Sequence, residues 1–168
     1  MYQLIVLFFE ITILRKGPQD VPAAPVVYRL VFVPYIGVNL LVLLLDGSWN
    51  KAIAQIAVET ALLVGFCYPL LYFAGKTARF PQTFTALLGT DAIISLCAIP
   101  AVASLQTQIG DFAFIAVMGM MLWHWLVNGH IFRNALDRPF LFGLALAFLY
   151  ILISSQVMTL LFAGPAAD

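Results

Sequence analysis

Charge is what this chain has least of. Only 10% of its 168 residues are Asp, Glu, Lys or Arg, against about 25% in an ordinary soluble domain. That poverty excludes a water-exposed globular protein. The formal net charge is zero, so bulk charge gives no argument for nucleic acid or for long-range steering of a ligand. Cysteine is equally scarce. Cys67 and Cys97 are the only two, both in long apolar runs and without a Cys-x-x-Cys spacing, which leaves them as small apolar residues at helix contacts rather than a disulfide.

Motifs for chemistry are missing as well. There is no glycine loop to cradle phosphate, no Gly-x-Ser-x-Gly, and no Ser or Cys paired with a His at a meaningful spacing. His124 and His130 are six residues apart and so fall on different faces of a helix. No His-x-x-x-His or Glu-x-x-His pair suits zinc or di-iron. No catalytic, cofactor-binding or metal-ligating residue can therefore be assigned. A cleavable leader is not expected either: residues 1–14 have no basic residue before them, contain Glu10, and run into Arg15-Lys16 instead of a small-residue cleavage site.

What the chain does have is apolar length. Hydrophobic residues make up 63% of it, with a mean hydropathy of +1.01. Five stretches, 26–45, 52–74, 83–105, 112–129 and 140–163, each approach the ~20 residues that cross a bilayer. Backbone groups inside lipid must be satisfied within their own segment, so these are helices, and the alternating pattern of a membrane barrel is absent. The expected fold is all-α: a polytopic transmembrane helical bundle of five spans plus a short N-terminal interfacial helix. Residues 1–25 form the interfacial segment and a turn, 26–163 the membrane domain, and 164–168 a short outer tail.

The first segment, 1–14, is too short to span, and is read as a helix lying in or dipping into the interface. Arg15-Lys16 and Gly17-Pro18 end it. Residues 46–51 form a tight outer turn, 75–82 a basic loop and 131–139 a second basic return. Pro34 kinks the first span and Pro69 interrupts the second. Seven of the eight basic residues then share one side: Arg15, Lys16, Arg29, Lys76, Arg79, Arg133 and Arg138, with Lys51 alone opposite. By the positive-inside rule the N-terminus is cytoplasmic and the C-terminus outside, in an inner (plasma) membrane.

Polar residues within the spans are few and regularly placed. Gln55 with Glu59, Asp91 with Ser95, and His124 with Asn128 each stand at i, i+4 on one helix face. A carboxylate near the bilayer centre costs roughly 2.5–3.5 kcal/mol on insertion scales, so Glu59 and Asp91 face the bundle interior. Two readings stay open: interhelical hydrogen-bond glue, worth about 0.6 kcal/mol per contact, or a polar seam for a proton, an ion or a small ligand. Small residues also recur at helical spacing, Ala57, Ala61 and Gly65 in the second span and Gly143 and Ala147 in the fifth, as packing ridges within one chain or between copies. The expected partners are the lipid bilayer and, through such ridges, other membrane proteins or further copies of the chain.

The stretch Arg79-Phe80-Pro81-Gln82-Thr83-Phe84-Thr85-Ala86-Leu87-Leu88, and the region from Trp123 through Gly129 to Arg133-Asn134-Ala135-Leu136, resemble the corresponding parts of the Yip (Ypt-interacting-protein) domain family. The resemblance spans residues from about 20 to 160 and implies a five-span membrane fold with a cytoplasmic N-terminus. Eukaryotic members carry a long soluble N-terminal region and an Asp-Leu-Tyr-Gly-Pro-type motif linked to small GTPase binding. Neither is present in this sequence, so the likeness is to short bacterial-type members, and no functional residue is carried over. A non-enzymatic protein acting through association is expected, with a small transporter or channel subunit built on Glu59, Asp91 and His124 as the alternative.

Overall fold

The computed structural model describes residues 2–45, 48–106 and 110–162. Six α-helices follow one another: α1 (Tyr2–Thr12), α2 (Pro25–Leu44), α3 (Trp49–Phe73), α4 (Phe80–Gln106), α5 (Gly110–Leu136) and α6 (Phe140–Phe162). Short 3₁₀ turns at Pro18–Asp20 and Thr77–Arg79 join them, and there is no strand among the described residues. Helices α2 to α6 are each long and apolar enough to cross a bilayer. The chain is therefore a multi-pass helical membrane protein. The outer tail 164–168 and the turn residues 46–47 lie outside the described residues.

Helix α4 is the centre of the bundle, packed by α1, α2, α3 and α5. Its sequence explains why. From Thr83 to Thr90 every residue is buried, and the three threonines in that run donate their hydroxyls to carbonyls four residues back, Thr83 to Arg79 (2.9 Å), Thr85 to Pro81 (2.7 Å) and Thr90 to Ala86 (2.9 Å). With apolar, small or self-satisfied side chains on all sides, neighbouring helices can pack from every direction. Helix α6 packs along α5 and reaches α3, which also touches α2.

Helix α1 dips into the bundle rather than lying along its end. Phe8, Ile11 and Thr12 are buried, Leu4 and Phe8 reach the level of Gly89 and Ile93, and the Trp123 indole donates to the Thr12 carbonyl at 2.9 Å. A Cβ at Gly89 would lie 2.5 Å from the Phe8 ring, so the missing side chain is what admits α1 against α4. Glu10 is neutralised locally by Lys16 at 2.8 Å.

Several expected boundaries move. The fourth span does not end at Gly129. Helix α5 continues to Leu136, because His130 and Asn134 find partners instead of water: His130 Nε2 donates to the Lys16 carbonyl (2.9 Å), and Asn134 Nδ2 donates to the His130 carbonyl (2.8 Å). Lys76 and Arg79 then terminate it, with Lys76 Nζ donating to the Leu136 carbonyl (2.7 Å) and Arg79 to those of Asn134 and Ala135. Asp137 follows with a left-handed φ of 52° and accepts both cations, at 2.5 Å from Lys76 and 2.9 Å from Arg79. Two of the basic residues expected only as orientation signals thus cap a helix. The expected loop 75–82 already begins α4 at Phe80, and α3 starts at Trp49, inside the expected outer turn. Pro69 does not interrupt α3, which runs through it as α2 runs through Pro34; neighbouring helices and local adjustment accommodate proline inside membrane spans.

Candidate functional site

Glu59, Asp91, His124 and Asn128 converge on one cavity, closed by Tyr35 of α2, Tyr150 of α6, Leu63 and Leu87. All five spans therefore contribute a polar side chain to the same place. Tyr35, Glu59, Asp91, His124 and Tyr150 each lie nine to twelve residues from the nearer end of their helix, roughly 14–18 Å along the axis, near the middle of the span.

Asp91 is the hub. Asn39 Nδ2 donates to its Oδ2 at 2.8 Å and also to the Tyr35 carbonyl at 3.1 Å, which fixes the amide. The Ser95 hydroxyl reaches Asn39 Oδ1 at 3.5 Å, so Ser95 joins through Asn39. On its other side Asp91 Oδ1 stands 3.6 Å from His124 Nε2, within ion-pair range of a protonated imidazole and slightly long for a neutral hydrogen bond. Tyr35 and Asn128 are buried, whereas His124 keeps 35% of its side-chain surface exposed and Asp91 19%. The cluster thus opens on the His124 side. Glu59 lines the cavity but has no hydrogen-bond or ion-pair partner among the described residues.

The cavity holds about 30 Å³, room for one or two waters at roughly 10–15 Å³ each. A substrate of metabolite size does not fit. Among the described residues no three His, Cys, Asp or Glu side chains are arranged to hold a metal ion. The carboxyl groups and the imidazole can instead accept and release protons, with the hydroxyl and amide groups as hydrogen-bond partners that position them.

Of the expected seam residues, five are joined, four around the cavity and Ser95 through Asn39. Gln55 is half-buried one turn from Glu59 and does not line it. Tyr35, Asn39 and Tyr150 were not anticipated, although Tyr35 and Asn39 stand at the same i, i+4 spacing that singled out the other pairs. The packing ridges divide. Gly143 and Ala147 are buried, and a Cβ at Gly143 would overlap the Gly129 carbonyl oxygen. Ala57, Ala61 and Gly65, however, are exposed, and nothing in the chain lies within 4 Å of a Cβ placed on Gly65. They are not an intramolecular packing face: α3 buries Ala52, Ile56, Leu63, Cys67 and Leu71 instead. Cys67 is at a helix contact, but Cys97 faces outward, contrary to expectation.

No family model, curated protein or solved structure matches the chain.

Proposed function

We propose that this chain is a non-enzymatic, multi-pass inner-membrane protein that passes protons through the Asp91–His124 cluster. The observation that carries the reading is a charge mismatch. Two carboxyl groups, Glu59 and Asp91, face one imidazole, so one imidazolium can balance only one of them. Hydrogen-bond glue needs a matched donor and acceptor and no cavity. A second acidic group in the same low-dielectric space costs stability, and that cost is accounted for if the site exchanges protons. His124 and Asp91 carry the proton, while Asn39, hydrogen-bonded to Asp91, and Ser95, which reaches Asn39, hold the carboxyl group in place. Orientation with the N-terminus cytoplasmic is part of the proposal and is supported by the meeting of Lys76 and Arg79 with the 134–137 turn, and of Lys16 with His130, at one end. Kinship with the Yip domain family is proposed on the sequence likeness and the five-span layout.

The test is proton flux into vesicles of purified protein carrying an internal pH dye, driven by an imposed potential. The wild type should acidify the lumen faster than empty vesicles, with D91N and H124Q slowing it by at least 10-fold, a typical share for one proton-transfer group. Flux equal to that of empty vesicles overturns the reading.

One observation favours a second reading, association with another membrane protein or another copy. The Ala57–Ala61–Gly65 ridge faces outward and is of the kind that lets helices approach closely. If A61L and G65L abolish the cellular phenotype while D91N and H124Q leave it intact, association is the function.

A further inference from the structure

A second polar pocket lies at the end of the bundle where α5 closes and α6 begins, remote from the mid-span cluster and independent of the proton reading. It has a volume of about 440 Å³ and is lined by Arg15, Lys16, Asp20, His130, Arg133 and Phe140 among others. The cations in it are not equivalent. Lys16 is held by Glu10 at 2.8 Å, and its pKa is raised by that hydrogen bond and the accompanying charge. Asp20 is committed to the Gly17 backbone N–H at 2.9 Å. Arg15 and Arg133, by contrast, have no carboxylate partner among the described residues. They differ in this from Lys76 and Arg79, which are spent on the end of α5 and on Asp137.

The pocket is also built. His130 Nε2 ties the α1–α2 connection to α5 through the Lys16 carbonyl at 2.9 Å, which brings Arg15 and Arg133 to the lining of the same pocket. The Arg133 guanidinium lies 5.9 Å over the Phe140 ring. A cation–π contact at that distance holds the guanidinium beside the ring and leaves its N–H groups free to donate. Leu14 and Phe140 supply an apolar rim. Two guanidinium groups without a carboxylate partner, beside apolar surface at the end of a span, suit an oxyanion that sits where hydrocarbon meets water.

We propose that this pocket binds a phosphate group between Arg15 and Arg133, carried by an anionic phospholipid headgroup or free in solution. Purified protein in maltoside micelles would be unfolded thermally with phosphatidylglycerol, with diacylglycerol, or with inorganic phosphate added. Phosphatidylglycerol should raise Tm over diacylglycerol by roughly 5 °C near saturation. A rise with the lipid alone assigns a headgroup; an equal rise with inorganic phosphate assigns a soluble source. Either shift should vanish in R15Q/R133Q, persist in K51Q, and persist in part in R133K, which keeps charge but loses the fork. Arg15 is exposed in a connection, so R15Q alone gives the reading if the double variant does not fold. Equal Tm values in all three additions, or a shift that survives R15Q, overturns the proposal.

Discussion

At the residue scale the absence of a side chain does as much as its presence. Gly143 admits the Gly129 carbonyl oxygen into the space a Cβ would occupy, and a Cβ at Gly129 would in turn lie 2.6 Å from Leu144 Cδ2. Helices α5 and α6 touch through backbone at this crossing. Gly65, by contrast, has open space where its side chain would be. The two glycines should therefore respond oppositely to the same change. Gly143→Ala should destabilise by about 1–3 kcal/mol through overpacking, while Gly65→Ala should be neutral or stabilise by about 0.5–1 kcal/mol through helix propensity. Unfolding in mixed micelles checks both, and equal effects would contradict the crossing described. Sequence alone could not separate them, because lipid tails are as apolar as a helix neighbour and a small residue facing either looks the same. Tyr35 and Tyr150 are illegible for the same reason: a tyrosine in an apolar span looks alike whether its ring packs or it closes a polar cavity.

At the element scale, the end of α5 illustrates what tertiary contact adds to local signals. His130, Arg133 and Asn134 look like a solvent-facing return, yet the helix carries through them because the 14–20 connection and the 75–79 turn supply partners. Asp137 closes the cap. The hydrogen bond from Arg79, and after it that from Lys76, lowers its pKa from 3.8 to about 2. A folded pKa below the unfolded one means the contribution is complete above about pH 5 and is lost as pH falls through about 4 to about 2. Stability measured over that interval should fall more steeply in the wild type than in D137N, which keeps a residue tolerant of the left-handed backbone but has no charge to lose. Because Asp137 is well exposed, with 60% of its side-chain surface accessible, added salt should shrink the difference. Parallel curves for the two proteins would remove the cap from the account. The spans themselves were legible, since lipid imposes an apolar run of nearly fixed length. Their ends were not, because an end is set by whatever partners the neighbouring turns bring.

At the scale of the whole molecule, the five spans alternate direction so that the 75–79 and 134–138 turns meet at one end. Single cysteines replacing Thr77 and Arg138 should react with an impermeant maleimide from the same side of a sealed vesicle, and one replacing Lys51 from the other. Labelling of Thr77→Cys and Arg138→Cys from opposite sides would contradict the fold. Because each of the five spans lends a group to the central cavity, the cluster has a birth order. Asn39, Glu59 and Asp91 leave the ribosome before His124 exists, and Tyr150 arrives last. Until α5 is made, Asp91 has the Asn39 amide but no cation beside it, and a chain halted after α4 keeps both carboxyl groups in the membrane with no imidazole facing them. An unfinished copy therefore differs from a finished one in the uncompensated polarity it leaves inside the bilayer, a difference that costs insertion free energy.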